Sequence, residues 1–401
     1  MPHICTHCGL SSYDGNLWCQ RSECSAGNLT NTLRRGELLG EIEIGTMLRV
    51  MRTGTVYEAT RGEELILLKV AHLDTQEDLD HDRGYARYLK NEAEILQRLA
   101  ATGRSHAALP KLLPPYSQQR SLDELPYGRI VFRDKLRYFT VYEHIKGRFL
   151  RDILNDNPQP QPRYIGWLTL ILCDLLVMLQ KEVGIQHMAL SPDIIMVRED
   201  LDGILRPILF DMGMYHQPRP QITQPTPLPE PVMSGTSGAA GTNPMVSIRN
   251  LYHEWLSRYV HPAYTAPELF KGRTPGPSVD VYGLSLMMYE MLTGRPAYTY
   301  ETRTEQMVRS AVLDGDRRPL NRSDLSDKIT QIVETGLSLQ PERRFPHVMD
   351  FSMMLISVFG NVPPERVQNE TWLQRNRKYL YMILLVVVVF LVGLAVAAEL
   401  F

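Results

Sequence analysis

The sequence predicts an α+β protein in two lobes, a small antiparallel-sheet lobe followed by a helical lobe. Short runs of Ile, Leu and Val bounded by turn signals fill residues 41–59 and 64–71, which is typical of strands. Apolar residues recur with a helical period over 80–100, and residues 164–183 and 279–292 have the largely apolar composition of buried helices. A cysteine-rich segment and a long apolar stretch flank these lobes.

Length and charge narrow the class of protein. A chain of 401 residues is long enough for one large domain with attachments. Its 43 Lys and Arg against 45 Asp and Glu give no electrostatic case for a nucleic-acid partner. We expect four parts: a cysteine module at 1–30, a main domain at 38–357, a connector at 358–378 and a transmembrane helix at 379–398.

Four of the five cysteines lie in the first 24 residues. Cys5 and Cys8 form one close pair, and Cys19 and Cys24 form another. Two such pairs joined by a short loop suit a tetrahedral zinc site with four thiolates, and so small a segment needs that bond to fold. We predict a zinc ribbon with structural zinc, with two nearby histidines as alternative ligands. A redox-active cysteine pair is the rival interpretation.

The stretch from Tyr379 to Ala398 has 20 residues without a charge. At about 1.5 Å per residue, a helix of that length spans a hydrocarbon core of about 30 Å. Arg375, Arg377 and Lys378 precede it and place its amino-terminal side in the cytoplasm. We therefore expect a single-pass, tail-anchored protein of the cell membrane with its bulk in the cytoplasm.

Residues 217–245 are rich in proline, glycine and serine. Such a segment buries too little apolar surface to offset the entropy of ordering, so we predict a flexible insertion. Docking of this proline-rich segment to a partner domain is the alternative.

Seven motifs follow one another through the main domain: LLKVA at 67–71, KNEAEIL at 90–96, TVYEHIKG at 140–147, FDMG at 210–213, YTAPEL at 264–269, SVDVYGLSLMMYEMLTGRPAY at 278–298 and PERRF at 341–345. In this order they resemble the eukaryotic-like Ser/Thr protein kinases of the kind also found in bacteria. The resemblance covers most of residues 38–357 and implies the two-lobed protein-kinase-like fold.

The resemblance also implies roles for individual residues. Lys69 is the phosphate-binding lysine, Glu92 is its partner on a helix, and Asp211 is a magnesium ligand, so these three form the expected nucleotide site. Four further residues are implied to hold the architecture: His187, Glu268, Asp280 and Arg344. Among these, Arg344 pairs with Glu268, and Asp280 is the capping acid of the long buried helix.

The loop that should carry catalysis, HMALSPDIIMV at 187–197, departs from the kinase pattern. Ala189 stands at the general-base position, and a methyl group cannot accept a proton from a substrate hydroxyl. A general base at this position typically raises the reaction rate about 10²- to 10⁴-fold. Ser191 replaces the lysine that steadies the transferred phosphoryl group. Ile194 replaces the asparagine that binds a second magnesium ion. We assign no catalytic residue.

The glycine-rich loop is altered as well. If Gly54 is its third glycine, then Arg49 and Met51 occupy the first two places, which disfavours close backbone approach to phosphate. Arg49 either stabilises phosphate charge or folds over the cleft and blocks it.

These departures fall on the chemistry and spare the architecture. Together with the predicted transmembrane helix at 379–398, they predict a membrane-tethered pseudokinase. We expect it to act as a signalling scaffold or allosteric regulator of other signalling proteins, kinases among them. ATP binding stays open, and magnesium binding is disfavoured. One alternative is a weakly active Ser/Thr kinase that recruits another acid, such as Asp193. A second is a zinc-ribbon interaction protein in which the kinase-like domain is a spacer.

Overall fold

A computed structural model of the chain describes residues 3–4, 11–12, 32–74, 84–119, 121–122, 124–200, 203–213, 215, 261–300, 304–361 and 363. The chain divides into two units, Met1–Pro363 and Pro364–Phe401, and every described residue lies in the first. The four amino-terminal cysteines, the insertion at 217–245 and the apolar stretch at 379–398 lie outside the described residues, as does most of the predicted connector.

In the described residues, the first lobe is built on an antiparallel sheet of seven strands. They are β3 (Leu38–Leu39), β4 (Ile42–Val50), β5 (Gly54–Arg61), β6 (Glu64–Ala71), β7 (Leu112–Leu113), β8 (Gly128–Phe132) and β9 (Lys135–Glu143). Their order is β3-β4-β5-β6-β9-β7, and β8 pairs with β9. Two further strands near the amino terminus, β1 (His3–Ile4) and β2 (Ser11–Ser12), form a separate antiparallel pair.

Alternation of side chains gives this sheet two apolar faces. Ile44, Tyr57, Ile66 and Leu68 belong to one buried cluster on one face, while Leu67 belongs to the larger cluster that continues into the second lobe. Helix α1 (Tyr85–Ala101) belongs to that larger cluster as well. Since successive strand residues point to opposite faces, β6 can join both clusters.

The second lobe is mainly helical. Its helices are α2 (Leu150–Asp156), α3 (Pro162–Glu182), α4 (Pro267–Phe270), α5 (Ser278–Thr293), α6 (Glu305–Asp314), α7 (Asp327–Gly336) and α8 (Val348–Phe359). The long helices α3 and α5 pack against each other and against α8. Every residue of α5 from its first position to Leu292 is buried, so α5 forms the centre of this lobe.

Among the described residues, α3 alone is long and apolar enough to cross a membrane by length and composition. Most of its apolar side chains lie in the core of the second lobe. Burial inside a packed lobe explains that composition, because a helix that is apolar on most sides needs partners around it.

Three short strands lie beside the second lobe's core: β10 (Gly147–Phe149), β11 (Ile195–Glu199) and β12 (Leu205–Leu209). They form an antiparallel sheet in the order β10-β11-β12. β10 follows directly after the segment that leaves the first lobe, and β11 begins in the last residues of the altered catalytic loop. This small sheet therefore carries both segments to the cleft between the lobes.

Candidate functional site

Three charged side chains from separate elements meet in the cleft. Lys69 on β6 donates to Glu92 on α1 and, over 2.7 Å, to Asp211 after β12. Burial alone would lower the pKa of Lys69, but Asp211 and Glu92 outweigh it and raise that pKa, so the ammonium stays charged. The structure thus brings together the three residues that the resemblance assigned to a nucleotide site.

The backbone around Asp211 fixes this cluster against α1. Asp211 has a left-handed φ of 65°, and its amide donates to Glu92 over 2.8 Å. Two residues on, a Cβ at Gly213 would lie 1.7 Å from the carbonyl oxygen of Tyr88. Only glycine permits that approach, so the FDMG segment and α1 lie backbone against backbone.

The altered glycine-rich loop folds into the cleft. Its residues from Arg49 to Thr55 are all buried. The hydroxyl of Thr53 donates to Asp211, and the amide of Met51 donates to the carbonyl of Gly54 over 2.8 Å. Asp211 therefore accepts hydrogen bonds from both Lys69 and Thr53.

Apolar side chains fill the adjoining part of the cleft. Met51, Leu67 and Phe210 belong to one continuous buried cluster with Tyr142 and Phe149, and each is at most 1% exposed. The ring of Tyr142 lies 5.5 Å from that of Phe210 in an edge-on contact, and Phe149 lies 6.1 Å from it. The cleft between the lobes is thus packed like a protein core.

The altered catalytic loop lies at the floor of the cleft. Ala189 is half-buried, and its amide donates to Nδ1 of His187 over 3.3 Å. Burial lowers the pKa of His187 to about 4, so its imidazole is neutral at pH 7. Ser191 and Ile194 are both buried, and Ile194 joins the apolar cluster.

Asp280 holds the backbone of this loop rather than capping its own helix. Its carboxylate accepts from the amides of His187 over 3.2 Å and Met188 over 2.9 Å, and from the side chain of Gln180. Within the described part of the chain, no side chain makes a capping hydrogen bond at the amino-terminal end of α5. The expected capping role is therefore wrong. Asp280 is buried in the first turn of α5, and its carboxylate binds the backbone amides of the altered catalytic loop instead of the amides of its own helix. Burial raises its pKa to about 6.

The pairing expected for Arg344 is present. Its guanidinium donates to both carboxylate oxygens of Glu268, over 2.7 and 2.6 Å, and both side chains are buried. It also lies 4.6 Å from the ring centroid of Tyr282 and donates from Nε to the carbonyl of Ser338. This bidentate ion pair, with two parallel hydrogen bonds, joins α4 to the segment before α8.

A second buried ion cluster was not foreseen from the sequence. Arg151 on α2 donates to Asp193 over 3.2 Å, to Glu290 on α5, and to the hydroxyl of Tyr264 over 2.6 Å. Glu290 offered one signal: it and Asp280 are the two charged residues of a largely apolar helix, and buried charges in proteins are nearly always paired.

Asp193 is consequently engaged on two sides. Arg151 approaches it from α2, and Arg49 approaches from the first lobe over 3.5 Å. Burial would raise the pKa of Asp193, but Arg151 and then Arg49 outweigh it and hold that pKa below its ordinary value. A carboxylate held in this way is a poor proton acceptor.

Together these features define a two-lobed α+β fold of the kinase type, with a cleft lined by a Lys–Glu–Asp cluster. Residues 247–353 match the protein kinase domain family. That match covers roughly a quarter of the chain and begins after the altered loops.

Individual relatives are protein kinases. The chain is 26% identical over 204 residues to the Serine/threonine-protein kinase PkaA of Streptomyces coelicolor, covering 51% of this chain and 31% of that protein. It is 28% identical over 102 residues to PknB of Mycobacterium tuberculosis, covering 25% and 16%. It is 38% identical over 84 residues to human greatwall, covering 21% and 9%.

The chain thus spans less than a third of the length of these relatives. The fold, the domain match and the bacterial Ser/Thr kinases among the relatives support the protein kinase family for this chain.

Proposed function

We propose that this protein is a pseudokinase, which acts by binding other signalling proteins and does not transfer phosphate. The observation that carries the proposal is at the base position. Ala189 presents a methyl group there, and the nearest acid in the loop, Asp193, is bound by two guanidinium groups. Without a base for the substrate hydroxyl, about 10²- to 10⁴-fold of rate is lost.

The cleft supports the same proposal. In a working site a magnesium ion needs oxygen ligands at about 2.0–2.1 Å, with room for its waters. Here Asp211 is hydrogen-bonded to Lys69 and Thr53, and Ile194 places hydrocarbon where a second ligand would be needed. Since Met51 and its neighbours fill the adjoining space, these residues do not fit an ATP–magnesium complex in the conformation described.

A weakly active Ser/Thr kinase is the second candidate. It requires Asp193 to leave Arg151 and Arg49 and to serve as the base, four residues beyond Ala189. Breaking a buried ion pair without a replacement costs about 3–5 kcal/mol. We therefore favour the pseudokinase.

Transfer of radiolabelled phosphate from ATP tests the proposal. The full chain is incubated with ATP and magnesium, alone and with a generic basic substrate. Lys69→Ala is the comparison, and Lys111→Ala is its control, because Lys111 is an exposed lysine paired with Glu143. We expect background incorporation in all three proteins. Incorporation that Lys69→Ala abolishes and Lys111→Ala preserves would establish a working kinase and refute the proposal.

We also propose a structural zinc site at Cys5, Cys8, Cys19 and Cys24. The short pair β1–β2 supports it, because the residues between these strands include Cys5 and Cys8. Among the described residues, no group of three or more His, Cys, Asp or Glu side chains is placed to hold a metal ion. Metal analysis of the full chain should find one zinc per chain, and Cys5→Ser with Cys8→Ser should lose it. Full zinc content in that variant would contradict the site.

For the apolar stretch at 379–398 we propose a membrane anchor, with the larger part of the chain in the cytoplasm. The support is its length and the basic residues before it. Carbonate extraction should leave the full chain in the membrane fraction and release a chain that stops at residue 378. Pull-downs with residues 1–30 or the kinase-like domain removed would show which part holds partners. Retention of all partners by the amino-terminal module alone would favour the spacer alternative.

A further inference from the structure

Arg49 reaches from the first lobe into the second. It lies on β4 near its carboxyl-terminal end and is 4% exposed. Its guanidinium contacts Asp152 on α2 over 2.5 Å and Asp193 over 3.5 Å, and lies 5.6 Å from the ring centroid of Phe149. All three partners belong to the far side of the cleft. The strand that begins the altered loop is therefore fastened to α2 by a charged contact.

This contact is one end of a longer cluster. Asp193 is shared between Arg49 and Arg151, and Arg151 continues to Glu290 at the centre of the second lobe. Two guanidinium groups thus meet three carboxylates, one of which is that of Asp152. Every member except Asp152 is buried, so removal of one of them leaves another without compensation, and the cluster favours one arrangement of the lobes.

When Arg49 contacts Asp152 and Asp193, the hydrogen-bonding capacity of its guanidinium is not fully satisfied. Nε and Nη2 of Arg49 are both buried and make no hydrogen bond among the described residues, so Nη2 holds Asp152 by charge and proximity alone. An unpaired buried donor weakens the closed state relative to one in which the group reaches water. Asp152 is 19% exposed, so the outer edge of the contact is accessible to solvent. These features suit a contact that opens and closes.

We propose that Arg49 is a latch that holds the altered glycine-rich loop closed over the cleft. Release of Arg49 from Asp152 would open the cleft. The proposal rests on the proposed function, because it explains how a self-filled cleft is kept closed. It makes a distinct claim, however: the closure depends on one ion contact between lobes, and a nucleotide-sized space becomes available when that contact is broken. Regulation would then act on the position of the loop and not on phosphate transfer.

Hydrogen exchange of the full chain tests the latch. The variants are Arg49→Met, Asp152→Asn and their combination, and the readout is exchange in residues 49–55 and 150–156. We expect each single variant to exchange at least about tenfold faster in both segments, which corresponds to about 1.4 kcal/mol of local opening. The combination should add nothing beyond the larger single effect, because both changes break the same contact.

Arg148→Met is the matched control, because Arg148 lies just before α2, pairs with the exposed carboxylate of Asp156 and reaches only the backbone carbonyl of Asp152, not its carboxylate. It should leave exchange in residues 49–55 unchanged. Unchanged exchange in Asp152→Asn, or faster exchange in only one of the two segments, overturns the latch. Asp152→Asn decides the matter if Arg49→Met fails to fold, because Asp152 is the more exposed partner.

A second readout separates the latch from the proposed function. Fluorescent ATP analogue is titrated into the full chain, Asp152→Asn and Arg148→Met without added magnesium. The latch predicts binding at least about tenfold tighter to Asp152→Asn than to the other two. Equal binding by all three proteins contradicts the latch and leaves the pseudokinase proposal intact. Phosphate transfer by the unaltered chain would instead refute the pseudokinase, whatever the exchange data give.

Discussion

Replacing Arg344 with methionine is expected to destabilise the second lobe strongly. Arg344 and Glu268 have side chains 0% and 4% exposed, and the guanidinium bonds both carboxylate oxygens. Arg344→Met leaves the Glu268 carboxylate buried and without its cation. Removal of one partner from a buried pair costs about 3–5 kcal/mol. The lost stacking on Tyr282 adds to this figure, since cation–π contacts contribute about 0.5–2 kcal/mol.

The measurement is equilibrium unfolding of the full chain in guanidinium chloride, with a detergent present and intrinsic fluorescence as the signal. Glu268→Gln combined with Arg344→Met removes the uncompensated charge, so the double variant should be less destabilised than the sum of the single variants. We expect a coupling of about 2 kcal/mol for this pair.

Arg148→Met supplies the comparison on the surface. Its pair with Asp156 is more than half exposed on both sides, so its loss should cost less than about 1 kcal/mol. Two results would refute the reasoning. One is a loss for Arg344→Met no larger than that for Arg148→Met, and the other is strict additivity in the double variant.

Three further predictions follow from the cleft. Gly213→Ala should abolish cooperative unfolding measured by fluorescence, because its Cβ would overlap the carbonyl of Tyr88; Gly62→Ala, in open space but with positive φ, should cost only a modest loss. Burial lowers the pKa of His72 to about 4 from an ordinary 6.5, so the stability it contributes above pH 6.5 is lost as pH falls towards 4. Between pH 6.5 and 4, the free energy of unfolding of His72→Gln should fall by about 3 kcal/mol less than that of the unaltered chain, as measured by denaturant titration at each pH. Ala189→Asp should leave phosphate transfer at background, because the new acid meets a closed cleft; transfer above background would contradict that account.

Much of the fold was accessible from the sequence because its signals are local. Apolar composition predicted a buried helix over 164–183, and the structure has α3 at Pro162–Glu182. The period of three and four over 80–100 predicted a helix that in fact begins later, at Tyr85. Periodicity locates a helix well and its ends less well, since the ends depend on capping and neighbouring contacts.

The side-chain contacts that close the cleft could not be predicted from local sequence patterns. The sequence left Arg49 either free to meet phosphate or folded over the cleft, and the structure places it against Asp152 and Asp193. Asp193 lies 144 residues away along the chain, and the contact of Arg151 with Glu290 spans 139 residues. A guanidinium can pair with any of several carboxylates, so the choice follows from how the lobes pack and not from local pattern.

Titration with ATP, with and without magnesium, tests most directly whether the chain's own loop occupies the cleft. The readout is the thermal unfolding temperature of the full chain. A nucleotide that bound the folded state would add about 2.7 kcal/mol at 100 times its dissociation constant, a shift of several degrees. We predict no shift at millimolar ATP, with or without magnesium. A saturable shift that grows when magnesium is added would contradict the account.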